Sequence, residues 1–201
     1  MRFFSAIIAS TISSLFTSPI GYIVDRSVIE TDKYDGVLLK SLRHNILNFK
    51  IDKPLKLSFI TSVLTLATSN LFKTELPRII SACIITSSIS LAKECSLAKS
   101  CGIDNVRFPT KFLFVARDSV ALSTGMMCQR QTFILKSIYL CMSQVPCTLI
   151  NSIAIETLQG RKFLFRNVYH GVKNSIFVRM SRTLLNMGIG LGINNRMMNI
   201  N

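Results

Sequence analysis

The sequence predicts an all-α membrane protein of six transmembrane helices, arranged as three pseudo-repeats of two. Three observations predict it. The 201 residues have a mean hydropathy of +0.40 and only 17% charged residues. Six long apolar segments follow one another: Phe3–Val24, Leu57–Phe72, Ile79–Ala92, Phe108–Cys128, Phe133–Ile155 and Asn174–Ile193. The basic residues gather in alternate gaps between them. The first, third and fifth gaps hold 7, 3 and 4 Lys/Arg, while the termini and even gaps hold only Arg2, Lys73, Arg78, Arg130 and Arg196. Such alternation is the positive-inside pattern of a six-span protein, and it puts both termini opposite the basic loops.

Length and charge narrow the reading. Six spans of about 20 residues use about 120 residues. What remains suffices for loops, so residues 1–201 form a single membrane domain, with approximate repeats 1–76, 77–131 and 132–201. The net charge of +14 would suggest nucleic acid in a soluble chain. Here there is no Trp, no compact basic module and no aromatic stacking pattern, so no nucleic acid is expected. Basic loops beside apolar spans act instead as topology signals and contact anionic lipid, which makes membrane lipids the expected partners.

Phe3–Val24 is free of charge over 22 residues, longer than the apolar core of a secretory signal, and reads as a first span. Its Ser and Thr residues suit carbonyl back-bonding and close helix contacts. Pro19 is expected to kink or end the helix. In the long first gap Leu39, Leu42, Ile46 and Phe49 recur at helical spacing, with Lys40, Arg43, His44 and Asn45 between them. This predicts a short amphipathic helix at the membrane surface, with Asp35-Gly36 as its turn and cap. Pro54 and Pro109 fall where a helix begins, before the second and fourth segments. The tight second gap, containing Pro77, makes the second and third segments antiparallel neighbours. Ile79–Ala92 is short at 14 residues and runs into Lys93-Glu94, so a re-entrant or interfacial path is an alternative there. The fifth segment carries Pro146. The sixth ends in a glycine run in which Gly188 and Gly192, four apart, suit close helix packing.

Charges within the spans are the functional candidates. Each costs at least about 2.5 kcal/mol at depth, and such residues usually face a bundle interior or a cavity. Arg117 and Asp118 lie mid-segment, and Arg179 and Arg182 are three apart on one helix face. Together these four are candidate ligands for an anionic solute. Six cysteines form no C-x-x-C pair and only two histidines exist, His44 and His170, so no metal site is expected. No catalytic arrangement of Ser/His/Asp or Cys/His is legible. Neither an enzyme nor a cofactor is expected.

Three helix pairs joined on one side suggest a threefold repeat. Two echoes carry it: Pro19 precedes a basic gap and Tyr34-Asp35-Gly36, and Pro146 precedes another and Tyr169-His170-Gly171. On these features the chain resembles the mitochondrial carrier family, whose odd helices carry prolines and whose matrix loops carry an aromatic-x-Gly element. The resemblance implies a carrier-like barrel in the mitochondrial inner membrane. It also implies alternating access for a small anionic metabolite, with Arg117 and Arg182 on the solute-binding even helices. The chain departs from the family pattern. The acidic position two after each proline is Gly21 and Thr148, the basic position five after is Val24 and Asn151, and the third segment has no proline. Those departures favour an adaptor or membrane-organising protein of the same fold without transport. An unrelated small polytopic protein of another organelle or a bacterium is a third reading.

Overall fold

A computed structural model describes residues 2–71, 75–128, 131–161 and 164–198. Among them the chain is all helical, without strands: α1 Arg2–Ile29, a 3-10 turn Thr31–Tyr34, α2 Leu38–Leu47, α3 Lys53–Leu71, α4 Glu75–Ser100, α5 Phe108–Met127, α6 Phe133–Leu158 and α7 Phe165–Met198. At 1.5 Å per residue the six long helices measure about 29 to 51 Å. Local chemistry sets several ends. Pro54 and Pro109 are each the second residue of their helix, where the missing N–H costs nothing. Asp52 caps α3 by accepting from the Leu55 N–H at 3.2 Å. Before α2 the chain reverses at Asp35 and Gly36, both at positive φ (57° and 72°).

The six long helices form a closed ring. Each packs on its neighbour in the order α1, α3, α4, α5, α6, α7, and α7 returns to α1. Residue pairing runs antiparallel around it. Ser18 meets Ser62 while Tyr22 hydrogen-bonds Asp52, Cys83 meets Ser123 while Glu94 meets Arg117, and Gly125 lies against Leu140 while Arg117 meets Asn151. On α7, Asn167 binds Glu156 and Gly171 abuts Ser152. The ends of α1, α4 and α6, and the starts of α3, α5 and α7, therefore share one face. All three basic gaps lie on it. An apolar cluster including Tyr22, Ile29, Leu55, Leu97, Phe114 and Leu158 packs near that face.

Several expectations are corrected. The short third segment is part of a 26-residue continuous helix, α4. Lys93 and Glu94, read as its end, lie in its interior because they turn inward and are neutralised there. The sixth segment starts at Phe165, nine residues before Asn174. Pro19 does not end α1, which continues to Ile29. Asp35 does not cap α2: the N-cap is Val37, without a side-chain bond, and Asp35 pairs with Lys40 at 3.2 Å. The two aromatic-x-Gly echoes differ in structure. Gly36 sits in a turn, whereas Gly171 lies inside α7. Gly188 has nothing within 4 Å of the position a Cβ would take, so it mediates no helix packing; the surroundings of Gly192 lie outside the described residues.

Candidate functional site

Polar residues fill the ring and apolar ones cover it. On α1, Ser14, Ser18 and Asp25 are buried, while Leu15 and Phe16 are exposed. On α6, Gln144, Thr148 and Asn151 are buried, while Met142, Val145 and Leu149 face out. On α7, Ser175 and Arg179 are buried, while Phe177 and Leu184 face out. Helix α2 repeats the theme at the surface. Its Ser41 and Asn45 point inward, bonded to Ser27 of α1, and Leu39 and Ile46 are exposed. Buried polar groups are the exception in most domains; here they stand beside the buried apolar cluster.

At the centre lies an ionic network whose members come from five helices. Arg117 of α5 is its hub and is 5% exposed. Its guanidinium donates to Glu94 of α4 at 2.8 Å, to Asn151 of α6 at 2.6 Å and to its neighbour Asp118 at 2.7 Å. The cation also lies 5.3 Å from the Phe114 ring centroid. Ser90 of α4 donates to Asp118. Lys93 bridges Glu94 at 2.8 Å and Asp25 at 3.5 Å. Asp25 of α1 also receives Arg179 at 3.5 Å and Arg182 at 3.0 Å from α7. Among the described residues, three carboxylates thus face four cations. Buried charges persist only when paired and hydrogen-bonded, and here each carboxylate meets at least one cation. Arg179 Nε is an exception, a buried N–H with no partner.

A cavity of about 430 Å³ opens beyond this network, away from the basic face. It lies between α1, α3, α6 and α7 and includes Ser14, Thr17, Ser62, Arg182, Thr183 and Asn186. Arg182 belongs to both regions, bound to Asp25 and bordering the cavity. Two further cavity groups, Ser14 Oγ and Asn186 Oδ1, are buried without a hydrogen-bond partner.

The basic face is braced by its own contacts. Lys33 of the 3-10 turn donates to the Cys101 carbonyl at 3.0 Å, after α4, and Asp32 pairs with Arg161 after α6. The turn following α1 therefore ties all three basic junctions together. Glu30 is held by Arg26 at 3.3 Å and Lys33 at 3.4 Å. Burial pushes its carboxyl pKa up, but the Asn45 amide and those two cations outweigh burial and lower it. Burial pushes the Cys101 thiol up to about 11, so it stays protonated at neutral pH.

All four sequence-derived solute candidates, Arg117, Asp118, Arg179 and Arg182, come together, in one network. Only Arg182 borders the cavity; the others are engaged in ion pairs. Pro19 and Pro146 lie within α1 and α6. Sequence reasoning missed Asp25, Lys93, Glu94, Asn151, Ser14 and Asn186 as site members. For Ser14, Asp25 and Asn186 the signal is a polar stripe at helical spacing inside an apolar helix: Ser14, Ser18 and Asp25 on α1, and Ser175, Arg179, Arg182 and Asn186 on α7. The chain matches no family model, no curated protein and no solved structure.

Proposed function

We propose that the chain is a polytopic membrane protein whose six long helices cross the bilayer, and that it moves a small anionic solute by alternating access, in the manner of a divergent carrier-like barrel. The observation that carries this reading is a helix ring, apolar outside, closed by an ionic plug on its basic side and hollow on the other, where Arg182 borders the cavity. An anion admitted from the terminal side would meet Arg182 at the junction of cavity and plug. The helices other than α6 fall short of spanning hydropathy because their inward faces are polar, and a window average does not distinguish inward from outward residues. Each is nonetheless long enough, at about 29 Å or more, for a hydrocarbon core of about 30 Å. By the family resemblance, the membrane is the mitochondrial inner membrane.

A second reading, an adaptor of the same fold without transport, is favoured by the burial of Arg117 and its engagement with Glu94, Asn151 and Asp118, which hold it in a protein network. Uptake into proteoliposomes from a panel of small carboxylates separates the two. Transport predicts uptake that Arg182→Ala abolishes. No uptake of any panel member by folded protein rejects transport in favour of the adaptor. For topology, single-cysteine variants at Lys50 and Arg166 should be labelled from the same side, opposite both termini. Labelling from opposite sides rejects the six-span arrangement.

A further inference from the structure

We infer that the furrow between α1 and α3 binds one anionic phospholipid, with an acyl chain lying in the furrow and the phosphate held by lysines at its mouth. The site is independent of transport and rests on the proposed function only in that the long helices cross a bilayer. The furrow has a volume of about 520 Å³ and apolar walls. Leu15 and Pro19 of α1 form one wall, and Leu55, Phe59 and Ile60 of α3 the other. Phe49 and Ile51, from the segment after α2, close the end at the basic face. Phe49 is set edge-on to the Tyr22 ring, 6.3 Å between centroids. At the base α1 touches α3, Ser18 to Ser62 at 3.5 Å, so the furrow is shallow and narrow. A helix, about 10 Å across, does not sink into it, whereas an alkyl chain does. Leu15, Ile51 and Ile60 are exposed, so among the described residues no other part of the chain covers it.

The mouth of the furrow sets the charge of the headgroup. Lys56 lines the furrow, Lys53 lies three residues before it on the same face of α3, and Lys50 belongs to the linker from α2. All three are exposed, and among the described residues none is in an ion pair. Asp52, the carboxylate in that stretch, is already engaged. It accepts from Tyr22 and from the Leu55 N–H, and lies 3.7 Å from Arg26. The first turn of α3 holds two lysines and no acidic residue, so positive side chains crowd the positive end of the helix dipole. An anion seated there relieves both repulsions. A phosphodiester meets that need at the depth where α3 begins. A free phosphate has no use for the furrow, and a neutral lipid has no use for the lysines. The two features together select an anionic lipid.

The test purifies the full chain in neutral detergent, strips it of lipid, and measures by native mass spectrometry the retention of added dioleoyl phosphatidylglycerol and dioleoyl phosphatidylcholine, which share their acyl chains. Phosphatidylglycerol should bind at least about tenfold more tightly. The triple variant Lys50→Gln, Lys53→Gln, Lys56→Gln should lose that preference. The charge-matched variant Lys99→Gln, Arg107→Gln, Lys173→Gln should keep it. Ile60→Trp, which fills the furrow, should weaken both lipids. Equal affinity of the wild type for the two lipids overturns the inference, and that comparison needs no variant to fold. Equal losses in the two triple variants also overturn it, since they mean diffuse attraction to a chain of net charge +14. Displacement of phosphatidylglycerol by an equal concentration of inorganic phosphate removes the chain from the site and overturns it too. Lipid bound with the expected preference, but Lys50 and Arg166 positions labelled from opposite sides, sinks the six-span reading and leaves the site standing. Labelling from one side with no lipid preference does the reverse.

Discussion

Arg182 Nη1 lies 3.0 Å from Asp25 Oδ1, across 157 residues of sequence. The pair joins the last long helix to the first and so closes the ring. Asp25 is shared by Lys93, Arg179 and Arg182, and removing it leaves three buried or half-buried cations without their common anion. Asp25→Asn is expected to cost about 3–5 kcal/mol of unfolding free energy. A double-mutant cycle with Arg182→Gln should give a coupling of about 0.5–3 kcal/mol. The measurement is equilibrium unfolding in mixed detergent micelles. Strict additivity would show that the contact does not hold the ring closed.

Arg117 raises the same question at the opposite wall. Arg117→Leu leaves Glu94, 1% exposed, with Lys93 as its one remaining ion-pair partner. A loss of about 3–5 kcal/mol is expected, since a buried charge that loses its partner is worse than no charge at all. The double variant Arg117→Leu with Glu94→Leu should recover part of that loss. If the double is less stable than the single, the Lys93 pair alone sustains Glu94, and an unpaired charge is not the source of the loss.

The helices and their antiparallel order were legible because apolar length and loop charge are properties of single segments. Segment lengths were less so. Lys93-Glu94 reads as a boundary in a linear sequence, because nothing local says that Arg117 and Asp25 will neutralise it. The candidate arginines were legible as anomalies, yet their use was not. Whether an intramembrane arginine faces a solute or a carboxylate depends on a partner in another helix. The polar stripes on α1 and α7 were readable from spacing alone, and they point at the cavity more directly than the charges do. The glycines show the same limit: Gly171 and Gly188 look alike in sequence, and only Gly171 touches a neighbouring helix.

That contrast is itself testable. A Cβ at Gly171 would lie 3.0 Å from Ser152 Oγ and 3.2 Å from its Cβ, so α7 must shift from α6 to admit it. Gly171→Ala should destabilise by about 1–3 kcal/mol through overpacking. Gly188→Ala meets nothing within 4 Å and should gain about 0.5–1 kcal/mol from helix propensity. Thermal unfolding of the two variants in one detergent should move in opposite directions. A neutral Gly171→Ala would mean that the α6–α7 contact is looser than the geometry indicates.

The basic face should be acid-sensitive through Glu30. Its carboxyl pKa is lowered in the folded chain, so the ionised form is favoured by folding. A group with a depressed folded pKa adds stability above its unfolded pKa, about 4.3 for Glu, and that contribution disappears as pH falls through the lower folded value. On protonation Arg26 and Lys33 lose their shared anion, and Lys33, which also braces the Cys101 carbonyl, is freed to solvent. Unfolding measured between about pH 3 and pH 7 should show stability falling below the ordinary glutamate range. Glu30→Gln should be less stable than wild type at neutral pH and should flatten that part of the profile. Wild type and Glu30→Gln with parallel pH profiles would place the acid sensitivity elsewhere.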